Sequence, residues 1–318
     1  TLNLNNCTKL DTLNVRGNSI TQLDVSSCKG LRYLSCSFNK LSKLELNNPL
    51  LCALHCPLNQ LETLDISKCR ELEYLYCNQN QLSILDVSSC KKLKDLDCSE
   101  NQITKLELNN PLLCTLDCSF NQLDTLDIGK HEELQYLYCY FNHLETLDIS
   151  QYKKLRYLHC FDNFISELDI SKCEELESLD CHRNCILKLE LNNPKLESLN
   201  CCRNSISKLD VSKCKKLECL ICSRNGISKL DVSECKELVY LFCSRNNISK
   251  LKLNNPKLHT LDCSLNNLST LDISNGKDLK YLDCSYHSLK AIWVWDGFDP
   301  STFDEWSVPE GVECKIKQ

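Results

Sequence analysis

The chain is 318 residues long, 42% hydrophobic and 25% charged, the balance of a folded soluble protein, and its 7 Gly and 7 Pro exclude collagen-like or linker-rich architecture. Lys and Arg number 37 against 43 Asp and Glu, and the net charge of −6 excludes a generic binder of nucleic acid or anionic membrane. No apolar run approaches the roughly 18 residues of a membrane span, and with neither Met nor a signal peptide the chain reads as a mature or excised piece, so its 26 Cys are the fact to explain.

The opening Thr1-Leu2-Asn3-Leu4-Asn5-Asn6 matches the tail of a unit that then recurs along the chain, so a cap is expected upstream. An Asn returns at Asn18, Asn39, Asn59, Asn80, Asn101, Asn121, Asn142, Asn163, Asn184, Asn204, Asn225, Asn246 and Asn266, with His287 in the next slot, every step being 20 or 21 residues. The pattern around it, LxxLxCxxNxLxxLD[VI]SxCxx, occurs in about fourteen copies, the signature of stacked repeats. Four copies are one residue shorter, where the tail becomes a turn at Asn47-Asn48-Pro49, Asn109-Asn110-Pro111, Asn192-Asn193-Pro194 and Asn254-Asn255-Pro256.

Counted from the Asn, positions −5 and −3 are apolar while −6, −4 and −2 vary, which predicts one short strand per repeat with a single buried face. One repeat cannot bury its Leu side chains, so the copies must stack into a continuous core, with strands about 4.8 Å apart and a sheet of roughly 60 Å. The Asn amide both donates and accepts, and a ladder of them is expected to satisfy backbone groups that the turn leaves open.

Thirteen cysteines occupy position −3: Cys36, Cys56, Cys77, Cys98, Cys118, Cys139, Cys160, Cys181, Cys201, Cys222, Cys243, Cys263 and Cys284. Seven more, Cys7, Cys28, Cys69, Cys90, Cys173, Cys214 and Cys235, form a second column ten residues after the Asn. Rungs about 4.8 Å apart are poorly matched to the Cβ separation of about 3.8 Å in a disulfide, so buried, reduced thiols are expected. Cys219 and Cys222 read as CxxC, but residues three apart on a strand face opposite sides and do not converge on one ion. An acidic column six residues after the Asn, Asp24, Glu45, Asp65, Asp86, Glu107, Asp127, Asp148, Asp169, Glu190, Asp210, Asp231 and Asp272, is read as turn-capping rather than as a calcium site.

The LxxLxL-xx-N-xL skeleton resembles the leucine-rich repeat family, and the Cys column narrows the likeness to internalin J-type bacterial surface proteins. Ala291-Ile292-Trp293-Val294-Trp295 and Trp306-Ser307-Val308-Pro309 are similar to end-caps of bacterial surface repeat proteins. The resemblance implies an α/β-type solenoid over residues 1–290, with a parallel sheet on the concave face of an arc and short turns, strands or 3-10 segments on the convex face, closed by a C-terminal cap at 291–318. It also implies a secreted or cell-surface location.

Function in a repeat array is sought where the copies disagree. In chain order, the variable strand positions carry Tyr33, Tyr74 and Tyr76, then acidic Asp95, Asp97, Glu100 and Asp117. Next come Tyr136, Tyr138, Tyr140, Phe141, Tyr157, His159 and Phe161, read as one aromatic patch, with Tyr240 and Phe242 further on. Position −1 carries Arg183, Arg203, Arg224 and Arg245 in four consecutive repeats, an anion-binding strip or a relic of block duplication. No Ser/His/Asp order, phosphate-cradling glycine loop or HExxH string occurs. The expectation is therefore a non-enzymatic recognition module without cofactor or metal, binding a protein or glycan and neither nucleic acid nor membrane. A passive stalk and an intracellular scaffold or effector are the alternatives.

Overall fold

A computed structural model describes residues 2, 4, 7–129, 131–286 and 288–317. The slot at His287, and Thr1, Asn3, Asn5 and Asn6 of the opening tail, lie outside the described residues. The chain forms two compact units, Thr1–Leu147 and Asp148–Gln318.

Each unit is a parallel-strand solenoid. In the first, three-residue strands run in register from Thr12–Asn14 through Tyr33–Ser35, Ala53–His55, Tyr74–Tyr76, Asp95–Asp97 and Thr115–Asp117 to Tyr136–Tyr138. In the second they run from Tyr157–His159 through Ser178–Asp180, Ser198–Asn200, Cys219–Ile221, Tyr240–Phe242 and Thr260–Asp262 to Tyr281–Asp283 and Glu305–Ser307. The middle residue of nearly every strand is a buried Leu with more exposed neighbours on both sides, as the period of two requires.

The core is built from columns. For the repeat of Asn59, the buried side chains are Leu51, Leu54, Cys56, Leu61, Leu64, Ile66 and Cys69, at successive spacings of three, two, five, three, two and three. None of these intervals sustains a 3.6-residue period, so the return path has no helical face to bury. Accordingly, no α-helix occurs among the described residues, and the α/β expectation gives way to a β-solenoid. Among the described residues a single 3-10 turn, Pro300–Thr302, is the helical element, and no helix is long and apolar enough to cross a membrane. Some return paths instead pair as a second set of short strands, such as Gln22–Asp24 with Lys43–Glu45 and Lys229–Asp231 with Lys250–Lys252.

All thirteen −3 cysteines are fully buried, and all 26 cysteines of the chain are thiols rather than halves of disulfides. Burial pushes the Cys36, Cys201 and Cys284 thiols up to about 12. The asparagines bind the rungs together through these cysteines' carbonyls. Asn59 Nδ2 donates to Cys56 O and to Cys36 O one rung back, both at 3.1 Å, while its Oδ1 accepts from Leu41 N at 2.9 Å. The same triad of bonds is made by Asn121 with Cys118, Cys98 and Ile103.

The shortened repeats hold a second amide that sequence reading took only for a turn residue. Asn48, Asn110, Asn193 and Asn255 are buried where the second cysteine column would stand. Asn48 Nδ2 donates to Val25 O at 2.9 Å and Cys28 O at 2.8 Å, so the amide replaces a thiol and closes the shorter turn.

The acidic column caps turns: Asp24 Oδ1 accepts from Ser26 N at 2.8 Å, and bonds from Ser26 hold its carboxyl below the usual range. In three of the shortened repeats Glu replaces Asp and pairs instead with Lys two residues earlier, as Lys43–Glu45, Lys105–Glu107 and Lys188–Glu190 do; the fourth carries Lys252, which pairs with Asp231.

Residues 291–317 continue both strand sets. Ala291–Val294 pairs with Thr270–Asp272 and Glu313–Ile316, and Glu305–Ser307 ends the main sheet. Trp295, Phe298, Phe303 and Trp306 pack on one another in this segment, with ring centroids 4.9–6.4 Å apart.

Candidate binding surface

The turn after each strand imposes an unusual backbone. Position −1 is left-handed in every described repeat: Gly17 first, then Phe38, Leu58, Gln79, Glu100, Phe120, Phe141, Asp162, Arg183, Arg203, Arg224, Arg245, Leu265 and Tyr286, the non-glycine residues with φ of 50–59°. A left-handed L-residue costs roughly 1–2 kcal/mol. The cost is offset by stacking: Arg203 N donates to Ser223 O and Arg224 N to Ser244 O, both at 2.9 Å, so each turn is held by the next. The side chain at −1 is thereby aimed outward at the end of the strand face.

In the first unit the aromatics are partly spent on one another. Tyr33, His55 and Tyr76 form a chain of rings with centroids 5.2 and 4.7 Å apart. Tyr76 donates its hydroxyl to Asp95 Oδ2 at 2.9 Å; burial, then that bond, push its phenol up to about 12. Tyr74 stays exposed. Tyr136 and Tyr138 occupy the outward positions of their strand, half-buried. Phe141 lies flat on Phe120 at 4.6 Å, with Tyr140 edge-on to Phe120 at 5.4 Å. Phe120 was not among the sequence candidates, yet it and Phe141 are more than 40% exposed and form the apolar ridge of this unit. Its signal was its −1 position.

The acidic residues of the first unit are not a free electrostatic surface. Asp97 and Asp117 accept from the backbone N–H and hydroxyl of Ser99 and Ser119, at 3.0 and 2.6 Å in each case, which makes them caps of the strand end. Burial pushes the Asp95 and Asp117 carboxyls up.

The second unit carries Tyr157, His159 and Phe161 on its first strand and the turn after it, all half-buried. His159 Nε2 lies 3.4 Å from Ser178 Oγ, and burial lowers its pKa. Phe161 stacks on His182 at 4.5 Å, and His182 Nδ1 lies 2.6 Å from Asp180 Oδ1, a cluster that sequence reading had not assembled. Tyr136, Tyr138, Tyr140 and Phe141 lie in the first unit, and Tyr157, His159 and Phe161 in the second. Tyr240 is exposed and Phe242 half-buried on a later strand.

The four Arg residues occupy consecutive left-handed turns and are all exposed. Arg183 Nε is paired with Asp162 Oδ1 at 2.7 Å, Asp162 being the −1 residue one rung earlier. Among the described residues, no carboxylate lies within 4.0 Å of the side-chain nitrogens of Arg203, Arg224 or Arg245. Like charges about 5 Å apart repel by roughly 0.8 kcal/mol even in water, so three stacked Arg do not serve stability. Cys219 faces outward beside buried Cys222, and no group of three His, Cys, Asp or Glu among the described residues is placed to hold a metal ion.

Comparisons agree with this geometry. A family model described as Leucine Rich repeats (2 copies) matches residues 70–110. No curated protein matches the chain. Among solved structures, the functional domain of InlJ from Listeria monocytogenes, described as including a cysteine ladder, is 29% identical with a TM-score of 0.72, covering 98% of this chain and 69% of that one. YopM, a leucine-rich effector protein from Yersinia pestis, is 25% identical with a TM-score of 0.71, covering 96% and 88%. The Arabidopsis receptor kinase HAESA, solved with the peptide hormone IDA and the co-receptor SERK1, has a TM-score of 0.75 over 97% of this chain and 62% of that one; at 19% identity it shows the fold alone.

Proposed function

Starting from a leucine-rich-repeat solenoid with 21-residue repeats and a cysteine ladder, resembling internalin-type proteins, we propose that the chain is a non-enzymatic recognition module that binds a protein partner on the outward face of its strands. The observation that carries this reading is the contrast between columns. Inward positions repeat Leu, Cys and Asn almost without change, while the outward ones hold exposed Tyr74, Phe120, Phe141 and Tyr240 and the unpaired Arg203, Arg224 and Arg245. Aromatic and Arg side chains are the types that supply most binding energy at interfaces. The HAESA complex is a precedent, through the shared fold alone, for a peptide ligand on such a solenoid.

A secreted or surface-anchored location follows the likeness to InlJ. The effector reading has its own support: 26 thiols without a disulfide suit a reducing compartment, and YopM is an effector. A protein and glycan array probed with the chain separates the ligand classes. The double variant Tyr138→Ala/Tyr240→Ala, keeping wild-type circular dichroism, is expected to bind the captured protein about tenfold or more weakly, since losing about 1.4 kcal/mol of anchor contact in total is a factor of ten. Capture of glycans alone, or unchanged affinity in the variant, rejects the reading.

A further inference from the structure

The Arg column has a counterpart on the opposite edge of the second unit's strands. Position −7, immediately before each strand, carries Glu177, Glu197 and Glu218 in consecutive repeats. They stack in register: Glu197 N donates to Glu177 O and Glu218 N to Glu197 O, both at 2.8 Å. Glu177 is held by Arg156 through two bonds of 2.9 and 3.0 Å, whereas Glu197 and Glu218 are exposed and have no cation within 4.0 Å among the described residues. Two rails of opposite sign, neither closed by an ion pair among the described residues, therefore run along the same rungs, with Lys257, itself paired to Glu237, in electrostatic reach of Glu218. One consists of Glu197 and Glu218, the other of Arg203, Arg224 and Arg245.

The floor between the rails is low. Ser198, Cys219, Asn200, Ile221, Cys202 and Ser223 occupy it, and Tyr240 and Phe242 rise at one end. From position −6 to −2 an extended chain spans roughly 13 Å, enough for an α-helix, about 10–12 Å across with its side chains. Rungs recur every ~4.8 Å along the rails, close to the ~5.4 Å pitch of a helix and far from the ~6.8 Å repeat of one face of an extended peptide.

Resting on the recognition reading above, we propose that the second unit binds an amphipathic α-helix of its partner, laid along the repeat axis. Its acidic flank meets Arg203, Arg224 and Arg245, its basic flank meets Glu197 and Glu218, and its apolar face meets Ile221, Tyr240 and Phe242. Two opposed rails set the direction in which the helix lies, because turning it end for end would bring like charges together on both sides.

The test uses the full chain and two fluorescent, alanine-based helical peptides of one composition. One carries Glu on one flank, Lys on the other and Leu between them; in the second, Glu and Lys are mixed on both flanks. At low salt the segregated peptide is expected to bind at least about tenfold more tightly. Arg203→Glu/Arg224→Glu and Glu197→Lys/Glu218→Lys should each abolish that preference. Combining both pairs should restore it, because the helix now docks in the opposite direction, and such rescue is not available to a misfolded protein. Equal binding of the two peptides, insensitivity to the Glu reversals, or no rescue in a folded combined variant overturns the proposal. Binding of an anionic polysaccharide that ignores the Glu rail would mark the Arg column as a simple anion strip and also overturn it. The Tyr138→Ala/Tyr240→Ala result with an array-captured protein is scored separately, so the helix proposal can fail while the recognition reading stands.

Discussion

At position −1 each residue answers to two demands, a left-handed turn and an outward contact. Arg203 supplies a charge there at a backbone cost that Gly avoids. We expect Arg203→Gly to be as stable as the wild type in urea titration, since relief of the left-handed strain offsets glycine's extra unfolded entropy. Arg203→Val should lose about 1–2 kcal/mol, a β-branched side chain being least tolerant of that region. Equal stability of the two variants would show that the turn is unstrained. His131 is the counterpart inside the core: Nε2 accepts from Asn110 N at 3.1 Å, in the way that the Cys69 sulfur takes the Asn48 N–H, but buried Nδ1 has no hydrogen-bond partner among the described residues. Burial lowers its pKa, so the folded chain holds it neutral while the unfolded chain protonates below about 6.5. That contribution to stability is complete above the unfolded value and is lost as pH falls from there. Melting temperatures at pH 7.5 and 5.5 should show a larger acid loss in the wild type than in His131→Cys, which restores the column; parallel losses would clear His131 of the effect.

At the scale of the column, the thiols make a quantitative expectation. Nineteen cysteines are buried, five are intermediate and two, Cys185 and Cys314, are exposed. An aromatic disulfide reagent should therefore label the last two quickly, the intermediate five slowly, and the nineteen after unfolding; fast labelling of most thiols in the native state would refute the ladder. Alkali gives an independent check. With Cys36, Cys201 and Cys284 pushed up to about 12, the folded state keeps protons that an unfolded thiol gives up above about 8.5. Stability is thus intact below that pH and declines above it by about 1.4 kcal/mol per pH unit for each such thiol. Thiolate absorbance should rise cooperatively with loss of circular dichroism near pH 10, whereas gradual ionisation of a folded chain would contradict the burial.

At the scale of the molecule, the strand Glu305–Ser307 joins the second unit's sheet through its pairing with Tyr281–Asp283, and its middle residue, Trp306, packs in a ring cluster with Phe298 and Phe303. Phe298→Ser/Trp306→Ser should lower stability in urea titration by about 2–4 kcal/mol, since both rings lose their packing partners. Unchanged stability would mean that the aromatic cluster does not hold this strand in place.

The 20–21-residue spacing, the buried Leu and Cys columns and the Asn ladder could be read from the residues alone, because each inward side chain meets the same neighbours in every copy and is repeated for that reason. The outward positions carry no such redundancy. Only the folded chain decided that Asp97 and Asp117 cap serines, that Tyr76 is engaged by Asp95 and Arg183 by Asp162, and that Asn48 fills a cysteine's place. It also decided that position −1 is left-handed, at which the sequence hinted once, with Gly17. Those outcomes depend on contacts between residues about twenty apart, whose distances are set by the stacking of rungs and not by any local preference of the chain.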